Sequence, residues 1–221
     1  MITSSIVLML LTFNRKLPVT MARTMWSPGI LWACGVRLVV EGEENVDTHT
    51  PHIFVSNHCS YLDIPVLFRA IPSNLYFIAK KEIKWIPFIG QYMIATGMLF
   101  VNRSNRHKAI QSLKKAATLI HNGRSVLMFP EGTRSRDGKL AAFKKGPFHL
   151  ALQAEVSTIP IGVTGTEKVL GPSQWVVRPG KVTVKIGKAL AGEDYPELSQ
   201  LQKKSWESVE KLIKNRAIQS E

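Results

Sequence analysis

The chain has 221 residues, with 29 Lys and Arg against 16 Asp and Glu and a formal net charge of +13. A hydrophobic share of 45% excludes wholesale disorder and supplies a core for one domain. Two cysteines, Cys34 and Cys59, exclude a disulfide framework and a zinc site, and no aromatic RNA-binding strand or helix-turn-helix pattern accompanies the charge. Nucleic acid is therefore set aside, and an anionic membrane surface or a small acidic ligand or carrier protein stays in view.

Taken in chain order, the first apolar stretch is residues 5–13, SIVLMLLTF. It has about half of the ~20 residues that a spanning helix needs. Arg15, Lys16 and Arg23 follow it rather than a small-residue cleavage site, which speaks against a signal peptide. A second apolar patch, residues 25–40, carries Trp26 and Trp32 near its start and is interrupted by Arg37. We expect residues 1–37 to be a helical membrane anchor, a hairpin dipped into one leaflet, with an amphipathic pair packed on the domain as the alternative. Residues 38–221 are expected to form an α/β domain.

Within that domain the strand patterns fall at 37–42, 52–57, 75–80, 98–103, 125–129, 158–163 and 181–187. Helices are expected after Pro65, over 105–122, from about Pro147, and over 198–217. In the second of these, Ile110, Leu113, Ala117 and Ile120 share a face, Ser104 can cap the start and Gly123 can end it. Strands alternating with helices predict a mixed, largely parallel sheet flanked by helices, with ligands at the strand ends.

Those strand ends carry the chemistry. After IFVS come Asn57, His58, Ser60 and Asp63; after MLFV come Asn102 and Arg103; after VLMFP come Glu131, Gly132, Thr133, Arg134 and Ser135; LYFIA ends in Lys80 and Lys81. His58 and Asp63 cannot share a face of one helix, because five residues turn about 500°. They can meet if His58 lies on the loop and Asp63 at the helix start; otherwise Asp63 merely caps the helix through Ser60-x-x-Asp63. A meeting pair would let the carboxylate orient the imidazole and the free nitrogen act as a base. Cys59 is a weak candidate nucleophile beside His58, and there is no Gly-x-Ser-x-Gly elbow. Arg134, on a loop with Gly132 for close approach and Thr133 and Ser135 as hydroxyl donors, suits a phosphate, though a surface turn with an ion pair is also open. Glu131 could hold Arg134 or accept from a substrate hydroxyl. His49 and His52 read as solvated loop residues, and no metal site is expected.

These blocks resemble the glycerophospholipid acyltransferases, and most closely the lysophosphatidate acyltransferases. The first is Asn57-His58-x-x-x-x-Asp63; the second is Gly97-x-x-Phe100-Val-x-Arg103; the third is Phe129 to Ser135 (FPEGTRS); the fourth is Ile159-Pro160-Ile161. The resemblance covers about residues 35–190. It implies that His58 is the base and Asp63 its orienter, and that Arg103, Arg134 and Lys80 hold the acceptor phosphate, with Glu131, Gly132 and Thr133 also in the acceptor site. It further implies acyl transfer from an acyl thioester of coenzyme A or acyl carrier protein to a lysophospholipid, with no cofactor. Glycerol 3-phosphate or another lysolipid as acceptor, and a non-catalytic membrane-binding module, are the alternatives. The expected place is the cytoplasmic face of the inner membrane, monotopic or peripheral.

Overall fold

The computed structural model describes residues 17–101 and 106–214. Among these, seven strands form one sheet: β1 (Val36–Glu41), β2 (Ile53–Ser56), β3 (Leu75–Lys80), β4 (Leu99–Val101), β5 (Ser125–Met128), β6 (Thr158–Thr164) and β7 (Gly180–Ile186). Their order is β1-β7-β6-β2-β5-β3-β4, and every neighbouring pair is parallel except β6 with β7. The helices are α1 (Leu17–Met21), α2 (Ser27–Ala33), α3 (Asp63–Ala70), α4 (Ile89–Thr96), α5 (Arg106–His121), α6 (Gly146–Ala154), α7 (Thr166–Val169) and α8 (Leu198–Lys214). The mostly parallel sheet flanked by helices is the architecture the alternation predicts.

β2 shows why both faces need cover. Its four residues are all buried. Phe54 packs into one core with Leu67 and Phe68 of α3, while Ile53 and Val55 pack into the other with Ile120 of α5, Phe148 of α6 and Val209 of α8. Alternate side chains leave a strand on opposite faces, so a central strand must be apolar on both. Pro160 lies inside β6, where a missing N–H would normally break a ladder. It sits between the Thr158–Leu190 bridge and the β6–β7 ladder that begins at Ile161↔Ile186, and its carbonyl still accepts the Gly187 N–H at 2.8 Å. Gly162 answers to packing: a Cβ there would lie 2.7 Å from the Leu212 Cβ of α8.

Three expectations shift. α4 and the 3₁₀ turn Lys81–Trp85 were not foreseen, yet parallel β3 and β4 are sheet neighbours and require a crossover between them. Ile110 is exposed, so the buried stripe of α5 starts later, at Leu113, and runs through Ala116, Ala117 and Ile120. The apolar patch at 25–40 divides into the end of a π-helical turn, α2 and the edge strand β1. Residues 5–13 of the expected hairpin, with Asn102, Arg103 and the Ser104 cap, lie outside the described residues.

The chain enters through α1, a π-helical turn (Ala22–Trp26) and α2. Val19, Ala22 and Leu31 are buried in the core that contains α3, and Trp26 meets Phe68 edge to face. Thr20 and Asn74 exchange side-chain hydrogen bonds, and the Tyr92 hydroxyl donates to the Pro18 carbonyl. Met25, Trp26 and Trp32 stay exposed. Among the described residues no helix is long and apolar enough to cross a membrane.

Candidate active site

Because β2, β5, β3, β4 and β6 run parallel to one another, their C-terminal ends share one edge of the sheet. Three of the sequence-predicted strand-end clusters, those after β2, β3 and β5, are therefore delivered to that edge. The chain leaves β2 at Ser56, and Asn57 continues the pairing with its side chain: Nδ2 donates to the Val163 carbonyl at 2.8 Å and Oδ1 accepts the Val163 N–H at 2.8 Å. The main chain is thereby free to curl, and the curl brings His58 back onto Asp63 at the start of α3.

His58 Nδ1 lies 2.8 Å from Asp63 Oδ2. A carboxylate only accepts, so Nδ1 carries the proton and Nε2 is left with its lone pair. The Asp63 side chain is 0% exposed and that of His58 16% exposed. Asp63 Oδ2 also accepts the N–H groups of Cys59 at 2.7 Å and Ser60 at 2.9 Å, while Oδ1 accepts the Thr166 hydroxyl at 2.6 Å. Four bonds fix this carboxylate: it ties the turn before α3 and orients the imidazole, while the helix itself has no side-chain cap. Ser60 completes the turn, accepting the Leu62 N–H and donating to the Leu170 carbonyl. Phe129 stacks on the imidazole with ring centres 3.9 Å apart and a 13° tilt, so the plane of His58 is set as well as its tautomer.

The third block is sewn to the first along its length. Glu131 Oε1 accepts the His58 N–H at 2.8 Å and Oε2 accepts the Ala141 N–H at 2.9 Å. The carboxylate braces two segments of main chain and forms no ion pair with Arg134. Burial raises its pKa, with its two N–H bonds and His58 pulling the other way. Ser135 N–H donates to the His58 carbonyl at 2.8 Å, and the Arg134 guanidinium lies 3.5 Å over the centre of the Tyr61 ring. Arg134 Nη1 is buried with no hydrogen-bond partner among the described residues. Gly132 adopts φ 78° to turn the loop, with its N–H on the Phe129 carbonyl. Thr133 is exposed. Lys80 ends β3 on the same edge but is 60% exposed, 3.6 Å from Glu82, and separated from β2 by β5. Arg103 lies outside the described residues.

Cys59 does not compete with His58. Its thiol is pushed up to about 12, by burial first and then by the Asp63 charge, so at neutral pH it is almost wholly protonated. His52, expected to be a solvated loop residue, is instead buried, with Nε2 3.0 Å from the Asp47 carbonyl. Burial lowers its pKa. Among the described residues no group of His, Cys, Asp or Glu has a metal-binding arrangement.

Exchanging Glu131 for Gln is expected to remove one of the two acceptors, since the amide NH₂ must face either His58 N–H or Ala141 N–H. A loss of about 1–3 kcal/mol in unfolding free energy should result, measurable by urea denaturation. Because Glu131 has a raised pKa, the folded state holds its proton more tightly than the unfolded state. The stability linked to that proton is full below about 4.5 and is lost as pH rises through the folded value. The Gln variant should lack this slope; an unchanged slope would remove Glu131 as its source.

Comparison with known proteins agrees with the geometry. The family described as Acyltransferase matches residues 37–164. A protein named 1-acyl-sn-glycerol-3-phosphate acyltransferase from Cocos nucifera is 37% identical over 169 residues, covering 76% of this chain and 54% of that protein. One of the same name from Saccharomyces cerevisiae is 39% identical over 163 residues, covering 72% and 54%. The chain thus spans about half the length of these curated relatives. The crystal structure of the 1-acyl-sn-glycerophosphate acyltransferase PlsC from Thermotoga maritima is 28% identical, with a TM-score of 0.87 over 100% of this chain and 91% of that one.

Proposed function

The chain belongs to the acyltransferase family, and from that premise we propose that it transfers a fatty acyl group from a thioester to the free hydroxyl of lysophosphatidate, forming phosphatidate. The observation that carries the reading is the His58–Asp63 contact of 2.8 Å, buttressed on its far side by Thr166. His58 Nε2 takes the proton of the acceptor hydroxyl as its oxygen attacks the thioester carbonyl. Asp63 stabilises the imidazolium that forms. The tetrahedral adduct collapses, the carbon–sulfur bond breaks, and the imidazolium proton passes to the departing thiolate. An ester and a free thiol result, with no acyl-enzyme. Coenzyme A or acyl carrier protein supplies the thiol.

Positioning accompanies the base. Arg134, held over the Tyr61 ring and with an unpartnered donor, is suited to grip the acceptor phosphate. Arg134→Gln is expected to raise the KM for the acceptor at least tenfold while kcat falls less, as for loss of a charge-assisted contact of about 1.5–3 kcal/mol. An unchanged KM would assign the phosphate to other groups. Lys80, Arg103, Glu131, Gly132 and Thr133 belong to the same proposed acceptor site.

The acceptor is a membrane lipid, and we place the protein against the cytoplasmic face of the inner membrane. Trp85, Ile86, Phe88 and Ile89 are exposed just beyond the C-terminal end of β3, with Lys81 and Lys84 among them. Apolar side chains flanked by lysines suit an anionic leaflet. Recovery with anionic vesicles is expected to fall as salt is raised from low ionic strength to well above 0.1 M, where the screening length is about 10 Å. Salt-independent recovery would leave the apolar contacts as the sole driver.

The test of the reaction is thiol release from acyl-coenzyme A and acyl carrier protein, with lysophosphatidate, glycerol 3-phosphate and other lysolipids compared as acceptors. Preference for lysophosphatidate supports the reading. Preference for glycerol 3-phosphate or another lysolipid would reassign the acceptor, and no release with any of them would sink the acyltransferase activity.

A further inference from the structure

A second polar cavity, of about 260 Å³, opens at the other end of the sheet, where the strands begin. It is lined by Arg23 from the π-helical turn, Arg124 from just before β5, Thr48 and Thr50 from the loop before β2, and Ser73 and Asn74 from the turn before β3. His52 and His58 bracket β2, so the two ends lie on the order of 20 Å apart along the strand. Nothing in the acyl-transfer chemistry uses this end.

The walls are cationic and under-partnered. Arg23 Nε and Arg124 Nη1 are each buried without a hydrogen-bond partner, and neither arginine forms an ion pair among the described residues. No acidic residue precedes Glu41 in the sequence. The guanidinium of Arg124 lies 4.8 Å over the centre of the Tyr76 ring. Arg23 is held from the other side, because Thr20, one turn earlier, is bonded to Asn74. The neighbouring carboxylate, Asp47, is engaged locally: it accepts the His49 N–H and the Thr50 hydroxyl, bonds that keep its pKa low. Two permanent positive charges therefore face one carboxylate. Two arginines that line one polar cavity and have no ion-pair partner among the described residues point to an anion.

The donors approach from a helix, a strand start, a turn and a loop. That spread suits a tetrahedral anion better than a planar carboxylate. We propose that this cavity binds a phosphate group, as a second site separate from the His58 edge. The phosphate can come from a lipid headgroup, which the exposed Met25 and Trp26 beside Arg23 would suit, or from a soluble phosphate. The inference does not depend on the acyl-transfer reading.

The test uses the full chain carrying Arg134→Gln, so that phosphate binding at the His58 edge is suppressed. Inorganic phosphate is titrated by calorimetry, and recovery is measured with phosphatidylcholine vesicles, plain or doped with phosphatidate. Arg124→Gln and Thr48→Glu are added singly. The second sits on an exposed loop and places a carboxylate at the rim, so it carries the test if the first fails to fold. Saturable phosphate binding that weakens roughly tenfold or more in either variant supports a site for soluble phosphate. No soluble binding, but a phosphatidate-dependent recovery that drops by the same factor, supports a headgroup site. Binding that both folded variants leave unchanged, or no binding in either arm, overturns the proposal.

Discussion

Asp63→Asn is expected to lower turnover on the order of 10⁴-fold, the largest single effect in the molecule. Asp63 accepts four hydrogen bonds: His58 Nδ1, the N–H groups of Cys59 and Ser60, and the Thr166 hydroxyl. An asparagine has one oxygen to offer. If that oxygen faces Thr166, the amide NH₂ faces the imidazole, drives the proton to Nε2 and removes the lone pair that acts as base. If the oxygen faces His58, the NH₂ must face a hydroxyl that can turn to accept, but the negative charge that stabilises the imidazolium is gone. The Asn side chain also weakens the anchorage of Cys59 and Ser60, at a cost of about 1–3 kcal/mol. Thiol release and thermal unfolding measured on the same preparation separate the two effects. A folded variant that keeps turnover within tenfold of wild type would show that Asp63 holds the turn and nothing more.

His58→Ala should act differently. The variant loses the base, and kcat is expected to fall about 10²–10⁴-fold. The acceptor KM should stay within a few-fold, since the proposed phosphate grip lies in Arg134. Stability should change little. The ring is partly exposed, its removal forfeits one hydrogen bond and the stack on Phe129, and Asp63 Oδ2 keeps the N–H groups of Cys59 and Ser60. Steady-state kinetics over a range of acceptor concentrations give both constants. Turnover surviving in a folded His58→Ala protein would remove the base from the mechanism. A collapse in stability would instead make His58 structural.

Much of this was legible in the chain because it is written locally. The strands could be read because β2, β5 and β6 are short β-branched and apolar runs closed by polar residues, and two-faced burial demands such runs. His58, Asp63 and Arg134 could be named because their blocks are contiguous in sequence. The parts that escaped are those set by packing between distant segments. Thr166 is 103 residues from Asp63, in a stretch with no signal beyond a turn glycine. Phe129 and Tyr61 were in view inside their blocks, but nothing in either block says that one stacks on an imidazole and the other beneath a guanidinium. Glu131 was noticed for its charge, whereas its work is to hold main-chain N–H groups. The burial of His52 was missed because the loop reads as polar, while β5 covers it from elsewhere: its own N–H donates to the Ser125 hydroxyl.

The two clamps from β6 and the start of α7, Val163 on Asn57 and Thr166 on Asp63, span 106 and 103 residues. During synthesis the segment from Asn57 to Asp63 leaves the ribosome long before its partner. At ~5–20 residues per second, the wait is roughly 5–20 s. Until β6 arrives, β2 has an open edge, the curl after Ser56 has no substitute for its lost ladder, and the carboxylate lacks its far-side bond. The His58–Asp63 geometry is thus completed only when the centre of the sheet closes. A nascent or truncated chain can display the whole motif and still be inert.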